Sequence, residues 1–294
     1  TLKPKYVIMK RLLYLIVVLV ATASSVMAKN PVSINVMTFN IRLDTPVDKE
    51  NQWCHRSTYA AEVVRFHNVD IFGAQEVLHN QLIDLLDGLN GYAYVGVGRT
   101  DGKEKGEYSP IIYKKDRFSV ESSGNFWLSE DMNAPGVKGW DAACERVATW
   151  AIMRDKRSGS RFFMLNTHLD HMGKVARHEG AKLVIEQVHK LSKGLPVFVT
   201  GDFNATPDDD PIKVITNPDD PWHLTHSRDI AELRYGIEGT FQNFGRIPVE
   251  EMQWIDYIFV SDKVRVLRNG AITDHKGWQY PSDHLPVIAE VVIP

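Results

Sequence analysis

Cysteine is nearly absent from this chain of 294 residues, which holds only Cys54 and Cys144. Two thiols cannot make the disulfide framework that staples small secreted domains, and their spacing matches no zinc motif. One bridge and two buried free thiols fit equally well. A strong charge of either sign is also lacking, with 34 basic and 37 acidic residues and a formal net charge of −3. Without a basic excess there is no broad platform for duplex nucleic acid, whose affinity comes largely from phosphate neutralisation by Lys and Arg. Only a local basic patch is compatible with this balance. No solenoid-period repeat and no low-complexity linker interrupts the chain, which favours a single domain. No apolar run reaches the ~20 residues that a membrane span needs.

One shorter apolar run is present, at residues 12–23. Met9, Lys10 and Arg11 precede it, and Val26 and Ala28 follow as small residues suited to cleavage. This pattern reads as a secretory signal peptide, the other reading being a buried N-terminal element. Residues 1–8 lie upstream of Met9, the expected initiator, and the protein is expected to be exported, periplasmic or extracellular. No cysteine follows the cleavage site, so no lipid anchor is expected there. Loss of residues 1–28 removes Lys3, Lys5, Lys10 and Arg11 and no acid, which takes the formal net charge from −3 to −7. Residues 29–294 are then expected to form one catalytic domain.

The informative stretch is Pro-Val-Phe-Val-Thr-Gly-Asp-Phe-Asn-Ala-Thr, residues 196–206. Val197, Phe198 and Val199 form a short apolar, β-prone run of the buried-strand type. Gly201 lets the chain turn, and Asp202 and Asn204, two apart, leave the strand end on the same side. Taken alone, Gly-Asp-x-Asn is as readily a plain turn. The rest of the chain tips the balance, because polar groups end other apolar strands in the same way. Asn40 follows Val36–Phe39, Glu76 follows a run from Ile71 to Gln75, and His168 follows one from Phe162 to Thr167. Asp256 sits in an apolar run beginning at Trp254, and Asp283 and His284 precede a final strand at residues 287–292. Carboxylates, amides and histidines at the mouths of several strands make a metal-assisted hydrolytic site.

Six ordered motifs carry a resemblance: Thr-Phe-Asn-Ile-Arg at 38–42, Ala-Gln-Glu at 74–76, Asn-Thr-His-Leu-Asp at 166–170, Gly-Asp-Phe-Asn at 201–204, Ile-Asp-Tyr-Ile-Phe at 255–259 and Ser-Asp-His-Leu-Pro at 282–286. From about Ile34 to the C-terminus the chain resembles the endonuclease/exonuclease/phosphatase superfamily, which includes deoxyribonucleases, abasic-site endonucleases, deadenylases, sphingomyelinases and inositol-polyphosphate phosphatases. The resemblance implies an α/β (α+β) fold: a four-layered sandwich of two mostly antiparallel sheets packed face to face and flanked by helices. It specifies reaction type, not substrate.

The resemblance also implies roles. Glu76 is expected as the principal metal ligand, with Asn40 and Asp283 completing an oxygen-rich site suited to Mg or Mn rather than zinc. Asp202 is expected to activate or orient water, and Asn204 to position water and a phosphoryl oxygen. His284, held by a carboxylate and most simply by Asp283, serves as general base or transition-state donor. His168, backed by Glu107 and Asp256, donates to phosphate or leaving oxygen. Arg146 matches a phosphate-contacting arginine, since a guanidinium fork suits two phosphoryl oxygens. Structural readings stand beside two of these: Glu107 as a solvated loop acid, and Arg146 as the partner of an acid. His171 has no place in the family pattern. Trp278 serves equally to stack a base or sugar or as a lid residue.

Local patterns add a helix at residues 58–67 capped by Ser57, after a polar loop at 44–56 that contains Trp53 and is expected to rim the site. Further helices are expected at 78–89 and 180–191, with a short one near 212–215. Strands are expected at 92–97, 110–114, 118–128 and 147–153. The functional expectation is a secreted Mg- or Mn-dependent phosphodiesterase acting on a phosphoester, nuclease-like substrates first and a small phosphodiester as a variant. A lipid or sugar-phosphate esterase is the alternative, and the absence of a long hydrophobic β-hairpin counts against lipid. No protein partner can be inferred. A catalytically inactive binding module on the same fold would have lost some of Glu76, His168, Asp202, Asn204 and His284, and none is missing.

Overall fold

A computed structural model describes residues 33–294; the expected signal peptide lies outside the described residues. Two strand pairs explain the position of everything else. β1 (Ser33–Asn40) runs parallel to β2 (Ile71–Gln75), and β7 (Arg161–His168) runs parallel to β8 (Val197–Asp202). Parallel neighbours end on the same side, so each pair delivers its C-terminal residues to one edge.

The first pair lies in a seven-stranded sheet. Beside β1 come β13 (Val287–Val292), β12 (Arg265–Ala271) and β10 (Leu233–Tyr235). Beside β2 come β4 (Ile111–Lys114) and β3 (Tyr92–Val95). The second pair lies in a six-stranded sheet ordered β5 (Phe118–Trp127), β6 (Val147–Asp155), β7, β8, β11 (Asp256–Val260) and β9 (Thr225–His226). Most pairings are antiparallel in both sheets, and β1 and β2 pack across β7 and β8. Helices cover the outer faces, giving the expected four layers.

Period-two alternation assigns the faces of β1. Ile34 and Val36 join the main core, whereas Met37 and Phe39 pack beneath α1 (Trp53–Phe66) and α2 (His79–Gly88) with Val63, Val64, Leu82 and Leu85. On the second sheet α3 (Lys174–Ser192) lays Ala181, Val184 and Val188 against the main core. The short α4 (Asp210–Thr216) adds Ile212 and Ile215, and α5 (Ser227–Ile230) follows β9.

The space between the sheets is not wholly apolar. The buried Asn166 amide donates to the backbone carbonyls of Ala74 (2.7 Å) and Pro110 (3.0 Å) on the opposite sheet. Its oxygen accepts from Gln75 Nε2 (2.7 Å) and Thr200 Oγ1 (3.0 Å), and Gln75 also reaches Thr38 Oγ1 (3.1 Å). Gly73 leaves room for this cluster, since a Cβ there would lie 2.2 Å from both Asn166 Oδ1 and Thr200 Oγ1.

Four local expectations are corrected. The first helix starts at Trp53, not after Ser57, because Arg56 in its first turn is buried and donates to the carbonyls of Ile41, Asn51, Arg42 and Pro281. Trp53 is buried with its indole on Asp84 (2.7 Å) and does not rim the site. The helix expected at 180–191 begins at Lys174, since Asp141, distant in sequence, accepts the N–H groups of Val175 and Ala176. Cys54 and Cys144 are unpaired, and neither is fully buried. Among the described residues no helix is long and apolar enough to cross a membrane.

Asn166→Ala should lower unfolding free energy by about 3 kcal/mol or more, because several buried groups lose partners at once; urea denaturation measures it. His226 offers a pH test. Burial among Trp254, Tyr257 and Phe259, reinforced by the Arg228 charge, lowers its imidazole to about 3. Between that value and the ordinary value near 6.5 the unfolded chain binds the extra proton. Its stabilising contribution is therefore complete above about 6.5 and declines as pH falls, by up to about 1.4 kcal/mol per unit. His226→Phe should flatten the stability profile between roughly pH 6.5 and 4.

Candidate active site

The strand register assembles the site. Asp202 on β8 is the Cα partner of His168 on β7 and of Asp256 on β11, so three polar residues form one row across the second sheet. Opposite them Asn40 pairs with Gln75, and Glu76 follows directly. The final loop brings Asp283 and His284 to the same mouth. Glu76, Asn204 and Arg42 all have left-handed backbone angles, with φ of 60°, 46° and 58°. Non-glycine residues rarely adopt that region, and strain of this kind concentrates at functional sites.

The cleft has a volume of about 550 Å³. Glu76, Asp202 and His284 each place a donor atom within 4.8 Å of the others. Asn40 ties this group together. Its Nδ2 donates to Glu76 Oε1 (3.0 Å) and Asp202 Oδ2 (2.9 Å), and its oxygen accepts from Arg42 N (2.9 Å). The amide thus turns its nitrogen toward the carboxylates.

Two histidines are driven in opposite directions. His284 Nδ1 lies 2.8 Å from Asp256 Oδ2. Burial opposes charge on this ring, but the Asp256 charge and hydrogen bond, with Asp202 and Asp283 behind them, hold it well above its ordinary value. His168 is held well below its ordinary value by burial, then by the Arg146 and Arg99 charges. Asn204 Nδ2 donates both to Leu169 O and to His168 Nε2, each at 3.0 Å. His168 Nε2 is therefore an acceptor and the neutral ring carries its proton on Nδ1. Opposed environments of this sort separate a proton donor from an acceptor.

The carboxylates are likewise sorted. Burial would raise Glu76, but the His284 charge, the Asn40 amide and the Leu43 N–H bring it below its ordinary value. Asp202 is pushed up to about 7, first by burial and then by the Asp256 charge. Burial, followed by the Glu76 charge, raises Asp283 against the pull of His284 and Arg42. A crowd of buried carboxylates with hard oxygen donors is what a divalent cation would relieve, so the residues present fit one.

Arg99, Glu107, Cys144, Arg146 and His171 also line the cleft. Arg146 lies 3.4 Å from Asp170 and donates to His171 Nδ1 (3.0 Å). Arg146 is thus paired with an acid, as its structural reading has it, and it also lines the cleft. Burial would raise the Asp170 carboxyl, but the N–H groups of Gly173, Met172 and Ala143, with the Arg146 charge, hold it far below its ordinary range. Cys144, Asp170 and His171 form a second group able to hold a metal, though Arg146 already occupies His171 Nδ1.

Two expected pairings differ. His284 is held by Asp256 and not by Asp283, because β11 places Asp256 beside β8 under the ring, whereas Asp283 accepts from Ser282 Oγ (3.2 Å) and faces Arg42. Neither Glu107 nor Asp256 backs His168: Glu107 is engaged by Arg99 Nη1 (2.8 Å), and His168 Nδ1 has no partner among the described residues. Arg99 and Cys144 line the cleft, and sequence reasoning gave them no part in it. Trp278 is exposed and does not line it.

The chain belongs to the endonuclease/exonuclease/phosphatase family, whose model matches residues 37–284. Its members are phosphoesterases, generally dependent on a divalent metal. A solved endonuclease/exonuclease/phosphatase of Bacteroides vulgatus is similar at 40% identity and TM-score 0.86, covering 90% of this chain and 100% of that one. A mannosyl-6-phosphatase of Bacteroides thetaiotaomicron is similar at 38% identity and TM-score 0.83, covering 88% and 100%. Among curated relatives, Drosophila melanogaster nocturnin is 25% identical over 164 residues, 53% of this chain. The match spans only 24% of that relative's length.

Asp256→Asn should leave His284 in place while withdrawing the charge that keeps it protonated. The expected loss is roughly 10²- to 10⁴-fold in kcat on an aryl phosphate, with a fall in the His284 pKa visible by NMR titration.

Proposed function

We propose that this protein is a divalent-metal-dependent phosphoesterase whose substrates are small, hydroxyl-rich phosphate esters of the sugar-phosphate type. The observation that carries the reading is the lining of one cleft, where Glu76, Asp202, Asp283 and His284 share the space with Arg146. Three features support small substrates over long nucleic acid: the cleft's volume, the acidic balance of the chain, and carboxylates at Glu107 and Asp209 that would face a neighbouring phosphate. Similarity to a mannosyl-6-phosphatase along the whole of that chain points the same way. The nuclease-like phosphodiesterase expected from sequence is thereby displaced as the first reading, and diester hydrolysis becomes an outcome of the test.

Phosphate-ester hydrolysis needs charge neutralisation at the phosphoryl oxygens, an oriented in-line water and a stabilised leaving oxygen. Glu76 and Asp283 would hold Mg or Mn, which when bound supplies Lewis-acid neutralisation of phosphoryl charge. Asp202 orients and deprotonates the attacking water. Its Oδ2 is steadied by Asn40 Nδ2 and lies 3.5 Å from His168 Nε2 and 3.8 Å from His284 Nε2. Protonated His284 donates to a phosphoryl oxygen that gains charge in the transition state, with Asp256 preserving its proton. Arg146 binds the phosphoryl group, and Asn204, anchored on Leu169 O, positions it.

The mature chain should hydrolyse a hexose 6-phosphate faster than bis-p-nitrophenyl phosphate. Chelator should abolish turnover, and Asp202→Ala should reduce kcat by roughly 10³-fold or more. Preference for the diester would return the nuclease-like reading; turnover indifferent to Asp202→Ala would sink the mechanism. We also read the protein as exported, on its N-terminal leader alone; cell fractionation and N-terminal sequencing of the mature chain test this.

A further inference from the structure

Glu107 stands where relatives are expected to orient the first catalytic histidine, yet here it does something else. The loop between β3 and β4 folds back so that Arg99 N donates to Glu107 O (3.0 Å), which places the two side chains side by side. Arg99 Nη1 then meets Glu107 Oε2 at 2.8 Å. The loop is fastened from behind: Trp127 Nε1 donates to Arg99 O (2.6 Å), Gly136 N to the same oxygen (3.2 Å), and Tyr108 N to Val77 O (2.8 Å). Both side chains are largely buried, with 16% and 14% of their surface exposed, and both line the cleft that holds Arg146 and His168.

The pair is incompletely used. Arg99 Nε is a buried donor with no partner among the described residues, and its nearest acid, Glu145 Oε1, lies 3.9 Å away while accepting from Thr100 Oγ1. The Nε atom is closed to the cleft, but Arg99 Nη2 and Glu107 Oε1 also make no hydrogen bond among the described residues, and these two atoms are left to meet a substrate group. An anionic group here would face Glu107 and Glu145, and a cationic one would face Arg99 and Arg146. A hydroxyl accepts and donates at once, and so satisfies both partners without adding charge.

We propose that the Arg99–Glu107 pair is a hydroxyl-reading subsite that selects esters whose leaving group is a neutral polyol, such as a sugar. The inference rests on the small-substrate reading above and deepens it. Arg99 and Glu107 act on substrate selectivity, while the reacting phosphate stays with Arg146, Asp202 and His284. Fastening of the loop keeps the pair ready before substrate arrives, so little ordering is needed on binding.

The test compares a hexose 6-phosphate with phenyl phosphate, which has the same reacting group and no hydroxyls. Glu107→Gln preserves size and a hydrogen bond to Arg99; Arg99→Lys preserves charge and guards against misfolding of either single variant. Each should lower kcat/KM for the hexose phosphate by roughly 10- to 100-fold, mainly through KM, and the loss on phenyl phosphate should be at least several-fold smaller. Equal losses in kcat on both substrates would assign Glu107 to His168 or to the fold and overturn the inference while leaving hexose phosphates as substrates. Wild-type protein that ignores the hexose phosphate and cleaves a diester would overturn the underlying reading and the inference with it.

Discussion

The two sheets are held in register by buried amides, and the active site depends on that lock. Asn166 on one sheet donates to two backbone carbonyls of the other and collects Gln75 and Thr200 on its oxygen. An apolar contact would tolerate sliding by an ångström; a set of buried directional hydrogen bonds does not. One residue beyond Gln75 lies Glu76, and two beyond Asn166 lies His168. A shift between sheets would therefore part Glu76 from Asp202 and His168, and Gly73 is small because any side chain there would occupy the lock.

Above the lock, burial alone would neutralise most of the ionisable groups that reach the mouth. Selective pairing keeps only some of them charged, His284 and Glu76 among them. Asp256 keeps His284 charged, while Arg146 and Arg99 help keep His168 neutral. Asn40 distributes its two N–H groups between Glu76 and Asp202 and so holds two carboxylates close despite their repulsion. The remaining excess of negative charge suits a divalent cation, which joins the fold's electrostatics to the family's chemistry.

Much of this was legible beforehand because it is local. Alternation and β-propensity located strands ending at Asn40, Gln75 and His168, and Gly201 with Asp202 and Asn204 marked the central turn. The pairings were not legible, for reasons visible in particular residues. Asp283 adjoins His284 in sequence, but a side chain rarely bonds its neighbour's ring, and Asp256 reaches it from a strand 28 residues away. Arg56 looked like a loop residue because its acceptors, among them Pro281 O, come from a distant segment. The early start of α3 depends on Asp141, which no helix-capping rule applied near residue 174 would find.

The sequence by itself determined the family, the strand ends and the inventory of groups that can touch a phosphate, because those follow from residue type and short-range spacing. The tertiary structure alone decided which acid serves which histidine, that Asn40 faces the carboxylates with its nitrogen, and that Glu107 belongs to Arg99. Each is a contact between segments distant in sequence, fixed by strand register, loop folding and burial. Residue types state what a group can bond; only the folded distances state which bond it makes.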